Sequence, residues 1–300
     1  MRLGSNFSRL PYKGCGKTFK ALISLSQDPP SIRYKMTKAF TLNDGSRIPC
    51  LAFGTGTALY GKDAADFVRI AIENNFTHLD GAQMYNNEDT MGAGIKASGK
   101  PRSELFVVTK LNQLQPGQTV KESLKGSLAK LGLDYVDLFL IHTPAQARSE
   151  KNMSQFWAGM EEVKQAGLAK SIGVSNFKVD DLKVILETAK VIPSVNQVGP
   201  FFSILLDKLP MLTLSNPFYQ IEFHPYVYKA AEPILKFCQE HGIVIESFGG
   251  LTPIVRVKDG PLDPVLASIR ERLEKTHGHP VSTGQVLTKW ILAKNAVVVT

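Results

Sequence analysis

Phe76-Thr-His-Leu-Asp80 is a short apolar run closed by a carboxylate, and its reading decides the fold. The run is too short for a helix and ends on a polar side chain, so 76–79 is read as a buried strand. Two runs of the same kind follow, 105–108 ahead of Lys110 and 136–141 ahead of His142. In a parallel α/β sheet or barrel the carboxyl ends of successive strands share one face. Asp80, Lys110 and His142, with Tyr85 just beyond the first run, are therefore expected to line one pocket.

Those four residue types make a proton-delivery set. A tyrosine hydroxyl ordinarily titrates near ~10. Lys110 beside it is expected to lower that value by favouring the phenolate, with Asp80 holding the lysine charged. His142 is placed to donate a hydrogen bond to a substrate oxygen, so the set can protonate a carbonyl as a hydride arrives at its carbon. Each residue alone also has a plain reading: a turn or helix cap for Asp80, a half-buried surface aromatic for Tyr85, a solvated Lys110, a satisfied core His142. Their common position at strand ends favours the site.

Outward from these runs the pattern is regular. Segments 40–42 and 47–49 flank Asn43-Asp-Gly45, a hairpin signal, and such a hairpin suits the plug of a barrel's lower end. Strand 51–54 precedes helix 62–74, and helices 87–98, 119–131 and 153–166 follow the three strands above. Strand 170–175 leads to helix 179–188, then come strands 194–197 and 244–248, helices 263–277 and 282–294, and strand 296–300. Alternation at this spacing predicts a (β/α)8 TIM barrel with an N-terminal β-hairpin.

Composition agrees. Three hundred residues, 43% hydrophobic, suffice for one large barrel. No window approaches the ~18 continuous apolar residues of a membrane span, so no membrane partner is expected. Cys15, Cys50 and Cys238 are unpatterned, which predicts reduced thiols, a cytoplasmic setting and no metal site. Of the net charge of +8, +6 lies in residues 1–35, where seven Lys or Arg face the single Asp28. A weakly basic body with one basic tail does not predict nucleic-acid binding. The tail reads either as a mitochondrial transit peptide or as an extension upstream of Met36, and disorder is expected for both.

His78-Leu-Asp-Gly-Ala-Gln-Met-Tyr-Asn-Asn-Glu88 resembles the first signature of the aldo-keto reductases, and Lys170-Ser-Ile-Gly-Val-Ser-Asn-Phe177 their second. The resemblance runs from about Phe40 to Thr300, and Glu246-Ser-Phe-Gly-Gly-Leu-Thr-Pro253 is similar to fungal members. It implies NADPH-dependent reduction of an aldehyde or ketone, with NADH a second option. Asp80, Tyr85, Lys110 and His142 are implied as catalytic residues, Tyr85 being the general acid. Asp80, Ser175, Asn176, Gln197, Phe248 and Leu251 are implied at the cofactor. Ser175, Asn176 and Gln197 would hold the nicotinamide carboxamide, Phe248 would stack on its ring, and Gly249-Gly-Leu251 would form the loop over the pyrophosphate. Tyr60, His142, Asn112 and Thr143 are implied at the substrate, a small carbonyl compound, in a monomer or weak dimer. Asn112 and Thr143 stand where the family often has Trp, which implies a roomier or more polar pocket.

Two departures from the family pattern stand out. After Gln197 the family continues directly into the block that here begins at Ile221, so 198–220 reads as an insertion, either a retained intron or a lid. Past its eighth strand the family also continues into a segment that grips the adenosine phosphate, so the barrel is expected to be incomplete at its C-terminal end. The sequence then sets no preference between NADP and NAD. The same resemblance also fits a cofactor-binding regulatory protein or an inactive product of a mispredicted gene.

Overall fold

The computed structural model describes residues 39–198, 223–257 and 259–300. The basic extension 1–35 and the insertion 198–220, apart from Val198, lie outside these described residues.

Strands β1 (Ala39–Thr41) and β2 (Arg47–Pro49) form an antiparallel hairpin. Eight parallel strands then close a barrel in chain order: β3 (Leu51–Gly54), β4 (His78–Asp80), β5 (Phe106–Leu111), β6 (Val136–Ile141), β7 (Ala169–Ser175), β8 (Val195–Val198), β9 (Val244–Phe248) and β10 (Ala296–Val299). Strand β10 lies between β9 and β3, with Val298 opposite Leu51 and Ala296 opposite Ile245, so closure needs no further strand.

The helices are α1 (Ala65–Glu73), α2 (Glu88–Ala97), α3 (Val120–Leu131), α4 (Ala145–Ser149), α5 (Met153–Gln165) and α6 (Val179–Leu186). After the insertion come α7 (Tyr228–Glu240), α8 (Thr252–Val255), α9 (Asp263–His277) and α10 (Thr283–Ala293). Reciprocal caps start α3, through Thr119 and Glu122, and α10, through Ser282 and Gln285, and each satisfies orphan N–H groups of the first turn. Helix α7 has no counterpart in the sequence reading. Its interior Pro233 is a residue that ordinarily breaks a helix, yet the apolar face Ala231, Ile234 and Cys238 is buried and holds it in place.

Side chains on a strand alternate between the barrel's interior and its helix-facing side. The interior's lower layer is Phe106, Val108, Leu138, Leu140, Val195 and Val297, joined by Leu42 and Ile48 from the hairpin. Each such burial contributes about 1.5–3 kcal/mol. The hairpin therefore closes the amino-terminal end of the barrel.

Polar bonds pin that plug. Asp44 accepts from Lys164 Nζ at 2.7 Å and Ser171 Oγ at 2.8 Å, while Asn43 donates to the Pro193 carbonyl at 3.0 Å and accepts from Ser194 Oγ at 2.8 Å. Burial alone would raise the Asp44 pKa, but hydrogen bonds from Lys164, Ser46 and Ser171 hold it below its usual 3.8. The stability this contributes is full above 3.8 and is lost as pH falls through the lower folded value. Asp44→Ala is expected to cost about 1–2 kcal/mol at neutral pH. It should also flatten the acid limb of stability, read as urea midpoints across pH; an unchanged midpoint would show that the plug needs no polar anchor.

Candidate active site

The alternation that fills the lower layer also builds the site above it. On β5, Phe106 and Val108 point inward, so Lys110 does too, and on β6 Leu138 and Leu140 lead in the same way to His142. On β4 the inward pair is His78 and Asp80, on β8 it is Val195 and Gln197, and on β9 Val244 is followed by Glu246 and Phe248. A polar storey thus rests on an apolar one, open toward the strands' carboxyl ends.

At its centre Lys110 is fully buried. Its ammonium donates to Asp80 Oδ1 at 2.6 Å and to the Gly81 carbonyl at 2.9 Å, and lies 3.4 Å from the Tyr85 hydroxyl. Burial works against the charge, but Asp80 and Tyr85 outweigh it, and the Lys110 pKa rises above normal. The structure reverses one sequence expectation here. Tyr85 is 8% exposed, and its burial raises its pKa by more than Lys110 lowers it, so the phenol stays protonated at neutral pH. Depth in the barrel decides this balance, and depth is a tertiary property. Burial and then Lys110 push the His142 pKa well below its usual value, so the imidazole is neutral. Its ring stands edge-on to Tyr85, with centroids 5.6 Å apart.

The residues assigned to a cofactor cluster beside this centre. Ser175 Oγ donates to the backbone carbonyl of Gln197 at 2.9 Å, and Asn176 Nδ2 donates to the backbone carbonyl of His142 and to Ser175 Oγ, each at 3.0 Å. Asn176 has φ 64, a left-handed conformation that Asn tolerates better than most residues and that turns its amide back over the barrel mouth. Gln197 Nε2 donates to Asp80 Oδ2 at 2.8 Å and to Glu246 Oε2 at 2.9 Å, so its side-chain carbonyl oxygen, Oε1, is what remains to meet a ligand. Phe248 ends β9 half-buried. A hydroxyl, two amides and a flat apolar ring at the ends of three adjacent strands suit a carboxamide-bearing aromatic ring such as nicotinamide.

Leu251 departs from this picture. Its side chain packs with Leu266, Val286 and Leu287 against α9 and α10, and the segment after Gly249-Gly250 is the short helix α8 rather than open loop. The Leu251 side chain is only partly buried by that cluster. Tyr60, 46% exposed, stands at the mouth with its ring 6.4 Å from that of Tyr85. Asn112, exposed, donates its backbone N–H to Gln83 Oε1 at 2.9 Å, and Thr143 follows His142 half-buried.

Three residues of the site escaped the sequence reading as participants. His78 and Glu246 lie two positions before Asp80 and Phe248, and period-two counting along β4 and β9 would have found them. Gly56 had no comparable signal. A Cβ on it would lie 2.8 Å from Tyr85 Cζ, so the phenol ring rests on bare backbone. Gly56→Ala is expected to displace that ring and lower kcat about 10- to 100-fold while the fold is kept; an unchanged kcat would mean that the ring has room to spare.

Comparison with known proteins fits this geometry. An NAD/NADP-dependent indole-3-acetaldehyde reductase of Schizosaccharomyces pombe is 36% identical over 264 residues, covering 85% of this chain and 82% of its own. An NADPH-dependent alpha-keto amide reductase of Saccharomyces cerevisiae is 32% identical over 276 residues, covering 87% and 80%. The crystal structure of a Bombyx mori aldo-keto reductase in complex with NADP superposes with a TM-score of 0.68 at 29% identity, covering 88% of this chain and 83% of that one. The sequence model of the family matches residues 51–300, the whole barrel from β3 onward, and on that match the chain belongs to the aldo/keto reductase family.

Proposed function

We propose that the protein reduces an aldehyde or ketone to an alcohol with NADPH as reductant, NADH serving as an alternative, and with Tyr85 as the proton donor. The observation that carries this reading is the buried chain from Asp80 through Lys110 to the Tyr85 hydroxyl, 2.6 Å and then 3.4 Å long. When bound, the dihydronicotinamide supplies a hydride to the carbonyl carbon.

The chain's own residues do the rest. The Tyr85 hydroxyl gives its proton to the carbonyl oxygen, and the phenolate left behind sits against the Lys110 ammonium, which Asp80 keeps charged. His142 is neutral, so it can donate one N–H toward the same oxygen without adding a second cation beside Lys110. Ser175, Asn176 and the Gln197 carbonyl orient the carboxamide, and Phe248 offers a face for the ring. Tyr60, Asn112 and Thr143 border the approach of the carbonyl compound. The two yeast relatives, one named for an aldehyde and one for keto amides, support a carbonyl compound as the substrate.

The test is the fall of NADPH absorbance with a panel of aldehydes and ketones, beside a fluorescence titration of NADPH. Turnover of at least one carbonyl is expected. Tight NADPH binding without any turnover would replace this reading with a cofactor-binding regulatory role.

A further inference from the structure

Among the buried acids that the mechanism leaves unused, one faces the polar storey of the barrel. Glu246, fully buried, points into the barrel from β9. Its Oε2 accepts from Gln197, and its Oε1 lies 3.3 Å from His78 Nε2. His78 Nδ1 is 3.0 Å from the Pro49 carbonyl oxygen, which can only accept, so Nδ1 carries a proton. In a neutral imidazole Nε2 is then a lone pair. If Glu246 were a carboxylate, two lone pairs would face each other at 3.3 Å in a dry interior. Lys110, already paired with Asp80, and the Gln197 amide favour the ionised form, but burial and Asp80 outweigh them. Strand β4 presents His78 and Asp80, β5 presents Lys110, β8 presents Gln197, and the β10 neighbour opposite Glu246 is the apolar Val297.

We propose that Glu246 is a positioning residue that works as a neutral carboxylic acid. It donates its proton to His78 Nε2, and its other oxygen holds the Gln197 amide so that the carbonyl of Gln197 faces the cofactor. Asp80 is then the one anion opposite Lys110. Burial and the nearby Asp80 push the Glu246 pKa up to about 8, whereas burial pushes His78 down to about 4, so near neutrality the shared proton rides on Glu246. Ionisation of Glu246 would place a second anion beside the site. Its charge raises the pKa of both Lys110 and Tyr85, which makes Tyr85 a poorer proton donor. Reduction is therefore supported below the Glu246 transition and fades as pH rises through it. The catalytic consequence rests on Tyr85 being the acid; the protonation state of Glu246 does not.

Infrared spectroscopy of the cofactor-free protein tests the proton directly. A carbonyl stretch of a protonated carboxylic acid is expected at neutral pH, lost with a midpoint near 8 and missing from Glu246→Gln at every pH. An identical band, or its absence, in both proteins would overturn the proposal whether or not either one reduces a carbonyl. Two kinetic readouts follow. Glu246→Leu, which leaves one Gln197 hydrogen without an acceptor, is expected to weaken NADPH binding, and Glu246→Gln, whose carboxamide can donate to His78 and accept from Gln197, to restore most of it. Glu246→Gln should also lack the loss of kcat/KM near pH 8, and a limb that stays in place would overturn the link to catalysis.

Discussion

Tyr85→Phe is expected to lower kcat for carbonyl reduction by about a hundred- to ten-thousand-fold, the range typical of removing a positioned general acid. The substitution takes away one oxygen and leaves the ring where it is, on the Gly56 backbone and edge-on to His142. The lost hydroxyl contact, 3.4 Å from Lys110, is the longest of that lysine's three, and Asp80 and the Gly81 carbonyl continue to hold the ammonium. Fold and NADPH affinity should therefore stay close to those of the parent. Single-turnover kinetics with bound NADPH isolate the chemical step. A variant that reduces aldehydes at the parental rate would remove Tyr85 from the mechanism and leave a neutral His142 or a water as the donor.

Lys110→Met should be the most damaging substitution for stability in the site. It leaves the Asp80 carboxylate wholly buried with no cation, facing the Gln197 amide and, beyond it, Glu246. Breaking a buried pair by removing one partner costs about 3–5 kcal/mol, since an uncompensated charge remains in the interior. Carbonyl reduction should fall with it, because the phenolate left on Tyr85 loses its counter-ion. Asp80→Asn combined with Lys110→Met removes both charges and should recover a good part of the stability while turnover stays low. Urea denaturation of the two single variants and the double one closes the cycle. A double variant no more stable than Lys110→Met would mean that the packing of the lysine stem matters more than the charge balance.

Much of this site was legible before any coordinates. Asp80, Lys110 and His142 announced themselves as polar residues ending apolar runs, and a parallel barrel leaves such ends nowhere to go but one common mouth. The strands at 51–54, 136–141 and 244–248 and the helix at 263–277 stand where composition and period placed them. What escaped the reading depends on distances across the fold. Gly56 touches Tyr85 through space, and no local pattern marks a glycine as the floor of a ring. The protonation of Tyr85 turns on how deep the phenol sits, which outweighed the neighbouring lysine. Pro233 hid α7 because local preference opposed what tertiary burial then enforced. Glu246 and His78 are legible by period two from Phe248 and Asp80, but a polar residue inside a short strand can face either the barrel or its helices until the register of that strand is known.

The hairpin plug also sets an order in time. Asn43 and Asp44 are made early, but the partners that anchor them, Lys164, Ser171, Pro193 and Ser194, follow 120 to 151 residues later. At a synthesis rate of about 5–20 residues per second, Leu42 and Ile48 wait on the order of ten seconds or more beside the ribosome before their pocket exists. Closure of β10 on β3 comes later still, since Thr300 bonds back to Ala52 across 248 residues. The end of the barrel opposite the chemistry thus stays unsealed on a newborn chain until those partners have emerged.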